Sequence, residues 1–286
     1  MRRRILVTGS NGQLGKSLQK TVSQKPNIID YTFTSRDSLD ISNPTALELF
    51  FSKNSFDYCI NCAAYTSVDK AEEEPEKAFL INSEAVKSLT KVCKKNGTVL
   101  IHISTDFVFD GIKREPYLET DLTNPLNVYG SSKLRGEENI RKSLKKFYII
   151  RTSWVYSEFG NNFVKTILRL ANEREEISVV KDQIGCPTYA GDLANFIIEI
   201  LYADNDKFGT YHYCNQGALS WYNFAKYIVD YKRLDCSVIP ILSKDFKALA
   251  TRPKYSVLNS SKTFETFNEL KSKDVFESLN TCLINL

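Results

Sequence analysis

Histidine is scarce in this chain. His102 and His212 are the only two in 286 residues. A structural zinc centre draws four ligands mostly from His and Cys, so this scarcity weighs against one. Seven cysteines are present (Cys59, Cys62, Cys93, Cys186, Cys214, Cys236 and Cys282), an odd number and widely scattered. That pattern predicts reduced thiols, not a disulfide framework. Cys59-Ile60-Asn61-Cys62 has the CxxC form, but it lies in an apolar stretch, Phe56 to Ala64, that reads as a buried strand. Residues three apart on a strand face opposite sides, so both sulfurs are assigned to the core and no metal is expected. No apolar run approaches a membrane span, and the run after Met1-Arg2-Arg3-Arg4 is too short for a signal peptide. The expectation is a cytoplasmic protein with no membrane partner. Charge of one sign is also missing. Thirty-eight basic and 34 acidic residues leave +4, which argues against a nucleic-acid partner without repelling an anionic metabolite. There are no internal repeats and no low-complexity segments.

What is present is an alternation of strand and helix patterns. Strands are predicted at Arg3 to Thr8, Asn27 to Thr34, Tyr58 to Ala64, Thr98 to Ser104 and Tyr148 to Ser153. Between them, helices are predicted at Lys16 to Val22, Pro44 to Ser52, Pro75 to about Lys95, and around Tyr129. This is an α/β pattern, a doubly wound parallel sheet. Near residue 154 the regularity ends and a smaller mixed lobe begins. Its helices are expected at Asn161 to Glu173, Asp192 to Tyr202 and Ser220 to about Tyr231, with strands at Ile177 to Val180, Gly209 to Cys214 and near Val238. Asp182 to Thr188 reads as a loop. The expected division is 1–154 for a dinucleotide and 155–286 for a substrate, with some later segments returning to the first part.

Three stretches carry chemistry. Gly9-Ser10-Asn11-Gly12-Gln13-Leu14-Gly15 lies between a strand and a helix. One glycine there allows a tight turn, one lets backbone approach a pyrophosphate, and one lets the helix pack closely on the strand. Free N–H groups at the helix start then face the phosphates. The second predicted strand ends in Ser35-Arg36, where an NAD site usually places an acid. Arg36 either faces a 2′-phosphate, which means NADPH, or is a solvated surface residue. Asp40-Ile41 follows, suited to bordering the adenine, and the small Ala63-Ala64 pair lets ribose and phosphate lie close. Ser104, Thr105 and Asp106 end the fourth predicted strand, where ligands of open parallel sheets sit. Thr105 suits a substrate carbonyl and Asp106 a substrate hydroxyl; strand-end capping is the alternative. Finally, Tyr129 and Lys133 are four residues apart, one helical turn, so both leave the same face. An ammonium beside a phenol is expected to lower its pKa.

Taken in order, these segments resemble the extended short-chain dehydrogenase/reductase superfamily, with its Rossmann sheet, and within it the dTDP-4-dehydrorhamnose reductase family. The resemblance spans nearly the whole chain. Besides the motifs above it rests on Asn61-Cys62-Ala63-Ala64-Tyr65-Thr66, Val68-Asp69-Lys70-Ala71-Glu72, Arg151-Thr152-Ser153-Trp154-Val155-Tyr156, Asn161-Asn162-Phe163, Asp182-Gln183-Ile184-Gly185-Cys186-Pro187-Thr188 and Arg252-Pro253. It implies a catalytic set of Thr105, Tyr129 and Lys133. It implies NADPH, with NADH as the alternative, lined by Gly12, Gln13, Leu14, Asp40, Ile41, Ala63, Ala64 and Tyr65, and a ribose contact from Lys133. Thr66, Asp106 and Trp154 would contact a dTDP-sugar. The implied reaction reduces the C4 ketone of the sugar in building a cell-surface polysaccharide precursor, and a homodimer is one implied assembly. Two departures stand out. Phe107 replaces the tyrosine common after Thr-Asp, and Lys16 replaces a glutamate that holds magnesium at a dimer contact in some members, so no metal is carried over. Arg252 is left between two roles, clasping the substrate diphosphate or making a structural salt bridge. The competing functions are a sugar-nucleotide dehydratase or epimerase, and a non-catalytic subunit like that of methionine adenosyltransferase. A dehydratase usually has Glu where Phe107 stands.

Overall fold

The computed structural model describes residues 2–25, 29–203, 206–271 and 273–286. The first half alternates as its periodicity predicts: β1 (Arg3–Thr8), α1 (Gln13–Ser23), β2 (Ile29–Thr34), α2 (Pro44–Lys53), β3 (Tyr58–Asn61), α3 (Val68–Glu73), α4 (Pro75–Phe79), α5 (Ala85–Asn96), β4 (Val99–Thr105), α6 (Val128–Ser143) and β5 (Phe147–Thr152). The second half runs β6 (Val155–Tyr156), α7 (Phe163–Glu173), β7 (Glu176–Val180), β8 (Ile184–Gly185), β9 (Thr188–Tyr189), α8 (Ala190–Ala203), β10 (Gly209–His212), β11 (Leu219–Ser220), α9 (Trp221–Tyr231), β12 (Ser237–Ile241), α10 (Ser261–Thr266) and α11 (Val275–Ile284). The predicted start of the second strand at Asn27 lies outside the described residues. The stretch from Asp182 to Thr188, expected as a loop, holds β8 and begins β9.

Six strands form one parallel sheet in the order β10-β5-β4-β3-β1-β2. The order reverses between β1 and β3, which makes that gap the topological switch point. Alternate residues of each strand feed two cores, as a sheet buried on both faces requires. Ile5 and Val7 join Leu14 and Leu18 of α1 and the apolar face of α8 on one side. Leu6 joins Leu47, Phe51, Leu89 and Ile140 on the other. Cys59 falls in the second core and Cys62 packs on the first, so the CxxC sulfurs face opposite ways. β10 and α8, from beyond residue 154, belong to the sheet and its first core. A separate core surrounds Tyr156, Phe224 and Leu279.

The helix predicted from Pro75 to Lys95 is interrupted. Leu80–Glu84 forms a π turn between α4 and α5. It presents Asn82 to the backbone of Tyr65, accepting from its N–H at 2.9 Å and donating to its carbonyl at 3.0 Å. Asn82 also donates to Ser132 Oγ at 3.0 Å, tying the end of β3 to α6. Gly97 ends α5 in the left-handed region at φ 69°.

A buried ion pair fixes α6 against the sheet. Glu137 is fully buried and Arg151 of β5 is 2 % exposed. Glu137 accepts from Arg151 Nε at 3.0 Å and Nη2 at 2.8 Å, from Ser104 Oγ at 2.5 Å, and from Arg141. Burial pushes the Glu137 carboxyl up, but the two arginines and the serine outweigh it and hold it below the ordinary carboxylate value. Removing one partner of such a pair leaves an uncompensated buried charge. Arg151→Met should therefore cost about 3–5 kcal/mol in urea unfolding, and the double variant Glu137→Gln/Arg151→Met should lose distinctly less. A double-variant loss equal to the sum of the losses of Arg151→Met and Glu137→Gln alone would show that the pair contributes no coupling.

Candidate active site

The carboxyl ends of β1, β3, β4 and β5 meet the start of α6, and most of the residues singled out in the sequence gather there. Gly9 follows β1 with φ +68°, and a Cβ on it would lie 2.6 Å from Ala63 N. A Cβ on Gly15 would lie 2.5 Å from Ser10 Cα, so this glycine permits the helix to pack on the turn. Gly12 caps α1 from an extended conformation, and the first turn of that helix carries no acid. The loop is thus a backbone cradle into which no side chain fits, facing an uncapped helix start: an arrangement suited to a dinucleotide pyrophosphate. Gln13 is half-buried, and its Oε1 accepts from Ser157 Oγ at 3.1 Å and Asn162 Nδ2 at 2.9 Å. It links the glycine turn to the second half of the chain. The Leu14 side chain is packed in the core, which leaves its backbone to face a ligand.

Further out, Arg36 is exposed after β2, and its Nε donates to Asp40 Oδ2 at 3.3 Å. Asp40 Oδ1 is taken up by the Ser42 N–H and hydroxyl, at 2.9 and 2.7 Å. The Ser42 hydroxyl, and then Arg36, hold this carboxyl below its ordinary value. Ile41 is buried in the second core. Ala63, Ala64 and Tyr65 are half-buried just past β3, and Thr66 beyond them is exposed.

Thr105, Asp106 and Tyr129 converge at the end of β4. Asn127 caps α6, accepting from Gly130 N at 2.8 Å, and so starts the helix directly beneath Tyr129. Phe107 meets the Tyr129 ring edge-on, centroids 5.8 Å apart. Burial pushes the Tyr129 phenol up to about 12, against the pull of a hydrogen bond with Thr105 and with a further push from Asp106. This corrects the expectation of a phenol lowered by Lys133. The Lys133 ammonium instead donates to the Ile103 carbonyl at 2.6 Å and lies 3.4 Å from His102 Nε2. A buried ammonium takes the nearest strong acceptor, and here that is strand backbone. Burial brings Lys133 down to about 8, with Glu137 and Cys62 opposing.

Asp106 is 2 % exposed. Its Oδ1 accepts from the Thr105 hydroxyl at 3.0 Å, while Oδ2 is buried with no hydrogen-bond partner. Burial pushes this carboxyl up to about 7, against the Ser256 and Thr105 hydroxyls. A buried carboxylate oxygen left without a donor is costly until one completes it.

On the other wall Trp154 sits in the left-handed region at φ 48°, rare for a bulky residue. Its indole stacks on Trp221, centroids 3.4 Å apart and 4° from parallel. A Cβ on Gly185 would lie 2.5 Å from Trp154 Cε2, so the Asp182-to-Thr188 segment backs the same ring. Arg252 resolves to the second of its two alternatives. It is paired with Asp69 at 2.6 Å, and Asp69 also receives the Leu249 and Ala250 N–H groups. Its guanidinium clamps a loop onto α3.

Asn82, Glu137, Ser256 and Trp221 were not singled out in the sequence. Only Glu137 left a signal there: Tyr129, Lys133, Glu137 and Arg141 recur every four residues, one polar stripe along α6. Among the described residues no cluster of three or more His, Cys, Asp or Glu could hold a metal, and no helix is long and apolar enough to cross a membrane.

Comparison with known proteins agrees with this geometry. The family model described as the RmlD substrate binding domain matches residues 3–285. A dTDP-4-dehydrorhamnose reductase of Escherichia coli K12 is 41% identical over 275 residues, covering 92% of this chain and 91% of that protein. One from Aggregatibacter actinomycetemcomitans is 40% identical over 276 residues, with 92% and 93% covered. The crystal structure of the Bacillus anthracis dTDP-4-dehydrorhamnose reductase in complex with NADP superposes with a TM-score of 0.95 at 40% identity, over 100% of both chains. The Rossmann sheet, the glycine cradle and these full-length matches place the chain in the RmlD substrate binding domain family, the family of the dTDP-4-dehydrorhamnose reductases.

Proposed function

We propose that this protein reduces the C4 ketone of dTDP-4-dehydro-L-rhamnose to dTDP-L-rhamnose with NADPH. The observation that carries the reading is the convergence of Thr105, Tyr129 and the half-satisfied Asp106 carboxylate beside the glycine cradle. Residues 1–154, with α8 and β10, hold the nicotinamide dinucleotide, and the remaining segments hold the sugar nucleotide. Gly9, Gly12 and Gly15 admit the pyrophosphate to the start of α1. Ala63, Ala64 and Tyr65 border the ribose, and Asp40 and Ile41 the adenine end. Exposed Arg36 offers a guanidinium to a 2′-phosphate. Asp40 beside it would accept from a free ribose hydroxyl, which keeps NADH as the alternative. The seven free thiols fit a reducing compartment, the cytoplasm.

Bound NADPH supplies a hydride to the sugar's carbonyl carbon. Negative charge then grows on the carbonyl oxygen. Tyr129 gives that oxygen its proton and Thr105 donates a second hydrogen bond to it. A phenol held at about 12 stays protonated at neutral pH, and an alkoxide is a far stronger base than a phenolate, so the transfer runs downhill. Lys133 leaves the Ile103 carbonyl for the nicotinamide ribose and brings positive charge toward the forming tyrosinate. Asp106 Oδ2 accepts from a sugar hydroxyl, Thr66 contacts the nucleotide, and Trp154 gives the sugar an apolar wall.

Three measurements test this. NADPH oxidation with dTDP-4-dehydro-L-rhamnose should show turnover; nucleotide binding without turnover would favour the non-catalytic subunit. Tyr129→Phe should lower kcat by roughly 10²–10⁴-fold with cofactor affinity nearly unchanged, as loss of a positioned acid does. The pH dependence of kcat/KM should be bell-shaped. It should rise through about 7 as Asp106 ionises and fall through about 8 as Lys133 loses its proton. Asp106→Asn should flatten the acid limb and leave the alkaline limb in place; a profile unchanged by that substitution removes Asp106 from substrate binding.

A further inference from the structure

Four of the seven thiols form two close pairs. Cys59 of β3 and Cys93 of α5 lie together in the second core, both fully buried. Cys186 and Cys214 are neighbours in one buried cluster and share Leu258 as partner. The Leu258 N–H donates to Cys186 Sγ at 3.1 Å, and its carbonyl lies 4.0 Å from Cys186 Sγ and 3.6 Å from Cys214 Sγ. The second pair differs from the first in access. Both Cys186 and Cys214 line a cavity of about 660 Å³, together with Gln216, Leu258, Ser260 and Phe264. No residue of the catalytic or cofactor set lines that cavity.

We propose that Cys186 and Cys214 are a reversible disulfide site, reached by small peroxides through this cavity and coupled to the sugar wall at Trp154. The coupling is short. Cys186 follows Gly185, which packs directly on the Trp154 indole, and its carbonyl accepts from Ser153 Oγ at 2.5 Å. Drawing Cys186 toward Cys214 displaces the backing of that ring. Cys214 is the attacking sulfur in this scheme: the Ser260 hydroxyl lies 3.6 Å from its Sγ, placed to stabilise a thiolate. With hydrogen peroxide, the Cys214 sulfur attacks one oxygen, the O–O bond breaks, and the departing hydroxide takes the thiol proton as water. Cys214 is then a sulfenic acid. The Cys186 sulfur attacks it, the S–O bond breaks, and the hydroxide leaves with the Cys186 proton as a second water. Two electrons pass from the sulfurs to the peroxide, and a thiol reductant reverses the change.

The test is peroxide treatment of the full-length protein, followed by thiol counting after denaturation and non-reducing peptide mapping. Two of the seven thiols should be lost, in a single peptide linkage between Cys186 and Cys214. Cys186→Ser should trap a dimedone-reactive sulfenic acid on Cys214, and Cys214→Ser should abolish the linkage. An unchanged thiol count, or a linkage between Cys59 and Cys93, overturns the site. The kinetic arm rests on the proposed reduction: in the oxidised protein the KM for the keto-sugar nucleotide should rise about tenfold, a size expected from misplacing one substrate contact, and dithiothreitol should reverse it. A disulfide that leaves KM unmoved overturns the coupling to Trp154 while leaving the reductase reading standing.

Discussion

A carboxylate with no access to water holds this active site in place. Taking Glu137 out of solvent costs several kcal/mol unless it is paired and hydrogen-bonded, and it is met by Arg151, Arg141 and Ser104 together. Those partners come from β5, α6 itself and β4. The result is a polar rivet through a helix–sheet contact that apolar packing alone would leave free to slide. Tyr129 and Lys133 lie two turns and one turn earlier on the same stripe, so fixing Glu137 fixes where they emerge. Ser104 is the direct neighbour of Thr105, so the same carboxylate also orients the strand end that supplies the hydroxyl opposite Tyr129. One helix face does two jobs, anchored at one end and chemical at the other.

A second polar element crosses the sheet itself. Thr8, Asn61 and His102 are register partners on β1, β3 and β4. Their side chains form a chain: the Thr8 hydroxyl donates to Asn61 Oδ1 at 2.7 Å, and Asn61 Nδ2 meets His102 Nδ1 at 3.0 Å. If Asn61 donates there, His102 Nδ1 is the acceptor and Nε2 carries the hydrogen, so Nε2 offers Lys133 proximity and no lone pair. Burial and the nearby ammonium both keep His102 neutral. Lys133 is therefore held mainly by one backbone carbonyl, a bond a ribose hydroxyl can replace at little cost. That suits the role proposed for Lys133, in which it exchanges the strand carbonyl for a cofactor ribose.

Much of this was legible in the sequence because it is periodic or steric. Strand alternation and helix spacing gave the parallel sheet through β5, and three glycines between a strand and a helix described a turn whose geometry is met at Gly9 and Gly15. What escaped is what depends on contacts distant in sequence. The π turn at Asn82 exists because that side chain reaches Tyr65 and Ser132, and no local propensity separates it from ordinary helix. The left-handed Trp154 is held by Trp221 and Gly185, 67 and 31 residues away. The phenol departs from the expected lowering for a related reason. The spacing of Tyr129 and Lys133 puts both on one face, but whether the ammonium turns to the phenol or to a strand carbonyl is decided by β4, which a helix pattern does not contain.

Phe107 limits what the site can do. Eliminating water across two carbons needs a base to take a proton and an acid to release the hydroxide, placed on adjacent atoms. Asp106, held near 7, has the right poise for one of these tasks. The neighbouring position would have to supply the other, and it presents an apolar ring set against the edge of Tyr129. That ring offers no proton. With an apolar ring where a second ionisable group would be needed, the side chains at the end of β4 fit the proposed proton delivery to a carbonyl better than a dehydration.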